Sequence, residues 1–117
     1  MLINFDEIAE KENPHFKGGE KSFFARMFAD ENVKIMKGRL EPGASIGLHT
    51  HEGNSEILYV LSGTGKMLYK SEPFRDAVSE PLSAGSCTYC PMGHAHSLIN
   101  DSDGDLTFLA VVCEHER

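Results

Sequence analysis

The sequence predicts an all-β fold, an antiparallel sandwich or barrel, on three observations. Gly and Pro turn signals recur at short intervals, the runs between them are short and rich in β-branched or aromatic residues, and helical signals are weak. A chain of 117 residues suits one domain with a single core, residues 1–117.

The turn signals bound each element in order. Leu2–Phe5 is a short apolar run that reads as a strand, and Asp6–Lys11 is the one stretch with helical character, too short to stand alone. Between Gly18–Gly19 and Pro42–Gly43 lie the strands Ser22–Phe28 and Val33–Leu40. Ser45–Thr50 fills the interval from Gly43 to Gly53, and Glu56–Ser62 the interval from Gly53 to Gly63. Gly65–Tyr69 stops short of Pro73, Ser86–Cys90 lies between Gly85 and Pro91, His94–Asn100 follows Gly93, and Leu106–Cys113 follows Gly104. No linker, low-complexity tract or internal repeat interrupts the series.

Composition narrows the partners. A net charge of −7, with Lys and Arg scattered, disfavours nucleic acid and anionic membrane surfaces, because both need clustered cations. Asp6, Glu7 and Glu10 stand where a signal peptide needs an apolar stretch, and no apolar run reaches the length of a membrane span, so a cytoplasmic protein is expected. Three cysteines give no disulfide framework. Cys87 and Cys90 form a CxxC, but on a strand residues three apart face opposite sides about 10 Å apart, so they read as small hydrophobes rather than a redox pair or half a zinc site.

Strand alternation indicates which side chains meet. His49 and His51 are two apart and share a face, as do Glu56, Leu58 and Val60 on the next strand. If the two histidines look inward, a carboxylate from the neighbouring strand can join them, with His96 arriving from a strand distant in sequence.

The spacing is more specific than an isolated HxH. The segment PGASIGLHTHEGNSEILYVLSG runs Gly43, five residues, His49, one residue, His51, four residues, Glu56, six residues, Gly63. The segment GSCTYCPMGHAHSLIN runs Gly85, five residues, Pro91, one residue, Gly93, two residues, His96, three residues, Asn100. These segments, residues 43–63 and 85–100, resemble the two motifs of the cupin family with every fixed position present. The resemblance implies a double-stranded β-helix, or jelly-roll barrel, of antiparallel strands. It also implies one divalent metal ion held by His49, His51, Glu56 and His96. Three neutral imidazoles and one carboxylate suit Fe(II), Mn(II), Ni(II) or Zn(II) and leave coordination positions open to a ligand. Asn100 is expected to cap the turn that follows it.

A cupin resemblance does not by itself fix a reaction. The first reading is a metal-dependent enzyme of dioxygenase, decarboxylase or isomerase type acting on a small oxygen-rich molecule. The alternative is a non-catalytic barrel that binds or senses a sugar or organic acid, and a third possibility is a purely structural metal. His94 stands as an acid or base at the pocket mouth, or else as a solvated turn residue. Leu58, Val60, Met67, Tyr69 and Leu98 are expected to line the pocket. Lys34 and Arg39 lie on opposite faces of one strand, so at most one can meet an anionic ligand from inside. His15 and His115 read as surface residues. Cupins of this size resembling this chain commonly pair as homodimers, and residues 1–40, with Phe5, Phe16, Phe23, Phe24 and Phe28, are expected to supply much of the interface.

Overall fold

A computed structural model describes residues 1–115. Among them, ten strands form two antiparallel sheets: β1 Lys11–Pro14, β2 Ser22–Ala29, β3 Val33–Leu40, β4 His49–Thr50, β5 Asn54–Ser62, β6 Thr64–Lys70, β7 Val78–Ser83, β8 Cys87–Cys90, β9 Ala95–Ile99 and β10 Leu106–Glu114. The larger sheet runs β1-β2-β3-β10-β5-β8 and the smaller β4-β9-β6-β7. From β3 onward the chain passes back and forth between the two sheets, only the β6–β7 hairpin staying within one, as a double-stranded β-helix requires, and the motif histidines and Glu56 come from both.

The interior is filled by the inward residues of the alternating strands. Leu40, Leu58, Val60, Leu98, Leu106 and Phe108 are almost wholly buried and belong to one contiguous cluster with Phe23, Met36 and Met67. β5 displays the alternation most plainly, with Leu58 and Val60 inside while Ile57, Tyr59 and Leu61 stay more than 40 % exposed. Asn100 is fully buried and caps its turn as expected, accepting from the Ser102 amide through Oδ1. Its Nδ2 also donates to the carbonyls of Gly104 and Leu40, tying the turn to the end of β3.

Several expected elements are corrected. Leu2–Phe5 is not a strand. It leads into a 3₁₀ turn, Phe5–Glu7, which is all that forms of the expected helix Asp6–Lys11, and the Asn4 side chain caps that turn. The edge strands Lys11–Pro14 and Val78–Ser83 are additional. Both contain a proline and mostly exposed residues, so neither shows the apolar alternation that marks a strand in sequence. Ser45–Thr50 keeps strand pairing in full only at His49–Thr50, while Ser45 makes an isolated bridge to Ile99.

Residues 1–10 lie on the outer face of the larger sheet. Arg26 donates to the Ile8 carbonyl at 2.5 Å, and Arg39 holds both carboxylate oxygens of Glu10 at 2.9 Å while covering the Phe24 ring. Arg39 therefore faces outward. The hydrogen bond and charge of Arg39 pull the Glu10 carboxyl below its ordinary range despite some burial.

Candidate metal centre

His49 and His96 stand directly opposite each other across the β4–β9 pair. His51 follows β4, with its amide bonded to the His94 carbonyl at 2.9 Å, and Glu56 enters from β5 on the other sheet. The three imidazoles surround one axis, with ring centroids 4.8 to 4.9 Å apart. His51 and His96 are 7 % and 4 % exposed and the Glu56 side chain 11 %.

Backbone and side-chain acceptors fix how the rings turn. The His49 Nδ1–H donates to the Gly47 carbonyl and the His51 Nδ1–H to Asn54 Oδ1, each at 2.7 Å. With those protons on Nδ1, each neutral ring turns a bare Nε2 inward. His51 Nε2 and His96 Nε2 are 2.9 Å apart, and Glu56 Oε1 lies 3.1 Å from the first and 2.7 Å from the second. Ring nitrogens this close share either a proton carried on His96 Nε2 or a metal ion between them. Donors about 2.1 Å from one ion and at right angles around it stand about 3 Å apart. The three separations match that value, and one ligand atom from each of the four residues falls within 4.8 Å of all the others. The donor set therefore fits a divalent ion.

The local electrostatics point the same way. Burial alone would raise the Glu56 carboxyl, but when His51 and His96 carry protons on Nε2 their hydrogen bonds and charge outweigh it and hold the group at about 2. Burial lowers His49, its bond to Gly47 only partly offsetting this. Burial also opposes the charge on His51, but Glu56 and Asn54 prevail and raise it. Glu56 thus keeps its negative charge beside His51 and His96, whose inward nitrogens can take up a cation, either a proton or a metal ion.

Close backbone packing holds the HxH segment in place. A Cβ on Gly47 would lie 2.0 Å from the Lys17 carbonyl oxygen, so only glycine lets the loop at residues 15–21 rest on the chain just before His49. The Gly47 amide donates to the Phe16 carbonyl, and the Ser97 hydroxyl donates to the Ile46 carbonyl from β9.

A cavity of about 410 Å³ opens beside the centre. Leu58 and Leu98, two of the five expected lining residues, form part of its wall, and Lys34 reaches it from the inner face of β3. Val60 and Met67 are buried but absent from the wall, packed in the core with Leu106 and Leu82. Tyr69 is also absent from it, because its hydroxyl is directed at His94 Nδ1. His94 itself lies apart from the cavity lining. The cysteines follow the strand expectation: all three are free, Cys87 is exposed on β8, and Cys90 is buried opposite Glu56. Burial first, then the charge of Glu56, pushes the Cys90 thiol up to about 11.

Asn54 and Lys17 were not legible as site residues. Asn54 orients His51, and its Nδ2 reaches toward Glu114 at 3.5 Å, but no motif spacing singles it out. Lys17 lines the cavity from a left-handed conformation (φ 55°), which alternation cannot foresee.

Comparison with known proteins agrees with the geometry. Residues 36–112 match the family described as Cupin domain. The chain is 32 % identical over 119 aligned positions to the oxalate-binding protein of Thermotoga maritima, covering 96 % of this chain and 93 % of that protein. The crystal structure of a predicted oxalate decarboxylase from Thermotoga maritima superposes with a TM-score of 0.86 at 28 % identity, over 97 % of this chain and 99 % of that one. An oxalate decarboxylase from B. subtilis matches with a TM-score of 0.76 at 25 % identity, over 98 % of this chain but 29 % of the larger protein.

Proposed function

The chain belongs to the cupin family, and on that footing we propose that it is a mononuclear metal-dependent barrel that binds a small oxygen-rich anion through two adjacent oxygens. His49, His51, Glu56 and His96 hold the ion, which is Fe(II), Mn(II), Ni(II) or Zn(II). The observation that carries this reading is the set of separations between His51 Nε2, His96 Nε2 and Glu56 Oε1, all about those of neighbouring ligands on one ion. When bound, such an ion supplies a Lewis acid with open positions for carboxylate or carbonyl oxygens. Lys17 and Lys34 at the cavity wall attract the anion, and the apolar wall excludes water around it. The name of the Thermotoga relative supports oxalate as a first probe.

Turnover, of decarboxylase, dioxygenase or isomerase type, is the second reading. It is favoured by one observation: Glu52, an exposed carboxylate on the cavity wall, is free of the ligand set and can exchange protons with a bound molecule. His94, paired with Tyr69 away from the cavity, has no such access.

The test loads metal-free protein with each ion in turn and titrates oxalate calorimetrically while following carbon dioxide and dioxygen. One equivalent of ion and oxalate binding that requires it are expected, with both lost in His96→Ala. Oxalate binding that ignores the ion would contradict the proposal.

We also read residues 1–117 as one cupin domain that pairs as a homodimer in a reducing cytoplasm. The free cysteines support the compartment, and among the described residues no helix is long and apolar enough to cross a membrane. The contact is carried by the outer face of the larger sheet. Phe16 and Phe23 drop out of the expected interface because they pack in the barrel's own core. Phe24 and Phe28 remain on the outer face with Ile57, Tyr59 and Tyr89.

A further inference from the structure

We propose that the ligand of this centre is larger than oxalate and carries an apolar body behind its chelating head, as a 2-oxo acid with an aliphatic side chain does. This inference rests on the metal-binding reading above.

Three observations carry it. The first is size: about 410 Å³ lies within the range of sites that enclose drug-sized molecules, many times the volume of a two-carbon dicarboxylate. The second is chemistry. Away from the His–Glu cluster the wall is made by Phe23, Met36, Ile46, Leu98 and Phe108, and these are nearly all buried. Oxalate has polar oxygens on every side and would leave that wall either empty or wet. The third is construction. The Phe23 and Phe108 rings stack with centroids 5.8 Å apart and interplanar angle 16°, and both rest on Gly38, where a Cβ would come within 2.6 Å of each. Gly38 lets both rings pack directly against the backbone of β3.

The charged members of the lining differ from the apolar ones in exposure. Lys17, Lys34 and Glu52 are exposed whereas the apolar wall is buried, so an entering molecule would meet the cations and the centre with its anionic head and hydrocarbon with its tail. A 2-oxo acid offers one carboxylate oxygen and one keto oxygen on adjacent carbons, the same bite as oxalate. Its remaining carbons project away from the chelated edge.

The experiment uses the full chain loaded with Mn(II) and calorimetric titration with 2-oxopropanoate, 2-oxobutanoate, 2-oxopentanoate and 4-methyl-2-oxopentanoate, whose chelating heads are identical. Affinity should rise about fourfold for each carbon buried, on the order of fiftyfold across the series. 4-Methylpentanoate, which lacks the keto oxygen, should bind at least tenfold more weakly than its 2-oxo counterpart. In Ala25→Leu, which extends a side chain into the cavity, affinity for 4-methyl-2-oxopentanoate should fall at least tenfold relative to oxalate. Flat or falling affinity along the series, with oxalate still binding the loaded protein, would overturn the inference and leave the metal reading intact. Failure of the protein to take up Mn(II), or of the loaded protein to bind any of these acids or oxalate, would overturn both.

Discussion

At the residue scale, the centre depends on groups that turn the imidazoles as well as on the imidazoles themselves. Asn54 accepts from His51 Nδ1 and so commits the lone pair of Nε2 to the interior. Partners of this kind are commonly worth 10- to 100-fold in metal affinity. Asn54→Leu is therefore expected to weaken metal binding by about that factor while the fold persists, measured by competition with a chromogenic chelator. The convergence of His49, His51, Glu56 and His96, which could hold a metal ion, was legible because their spacing within two motifs is fixed by strand geometry. Asn54 was not, because a side chain that bonds three residues back has no periodic signature. The cavity wall was half legible for a related reason. Alternation identifies Leu58 and Val60 as inward, but not that Leu58 borders open space while Val60 lies deeper, among residues that fill the barrel.

At the element scale, the site is as rigid as the contact between the loop at residues 15–21 and the chain before His49. That loop holds His15, Lys17 and Lys21 in left-handed conformations, which other L-residues adopt only when packing requires it. Gly47→Ala would force the two backbones apart. It should destabilise the protein by about 1–3 kcal/mol, as overpacking does, and lower metal affinity as well, because the Gly47 carbonyl orients His49. Denaturant unfolding of the metal-free variant separates the two effects. The central strands were legible because their inner faces are uniformly apolar. β1 and β7 were not, since an edge strand carrying a proline and facing solvent has a loop's composition. The N-terminal residues misled in the opposite sense: Ile3, Phe5 and Ile8 are apolar because they lie half-buried on the larger sheet, not because they extend it.

At the scale of the whole molecule, two faces of one sheet do different work. The inner face of the larger sheet supplies Glu56 and much of the cavity, and its outer face leaves an apolar row unprotected. Register places Phe28, Ile35, Val111, Ile57 and Tyr89 side by side across five strands, with Tyr59 in the next row. A row of that extent is unusual on a monomer's surface. Light scattering should report a dimer, and Tyr59→Lys should shift it to monomer without loss of metal binding, whereas a monomeric native protein would contradict the proposal. The fold itself follows from the intact motifs, which bring residues separated by 47 positions, His49 and His96, into register across one strand pair. The most direct test of the centre is anomalous diffraction from crystals grown with Mn(II). One peak, bonded to Nε2 of His49, His51 and His96 and to the Glu56 carboxylate, is the predicted result; a site bare at saturating Mn(II), or an ion bound by other residues, would contradict it.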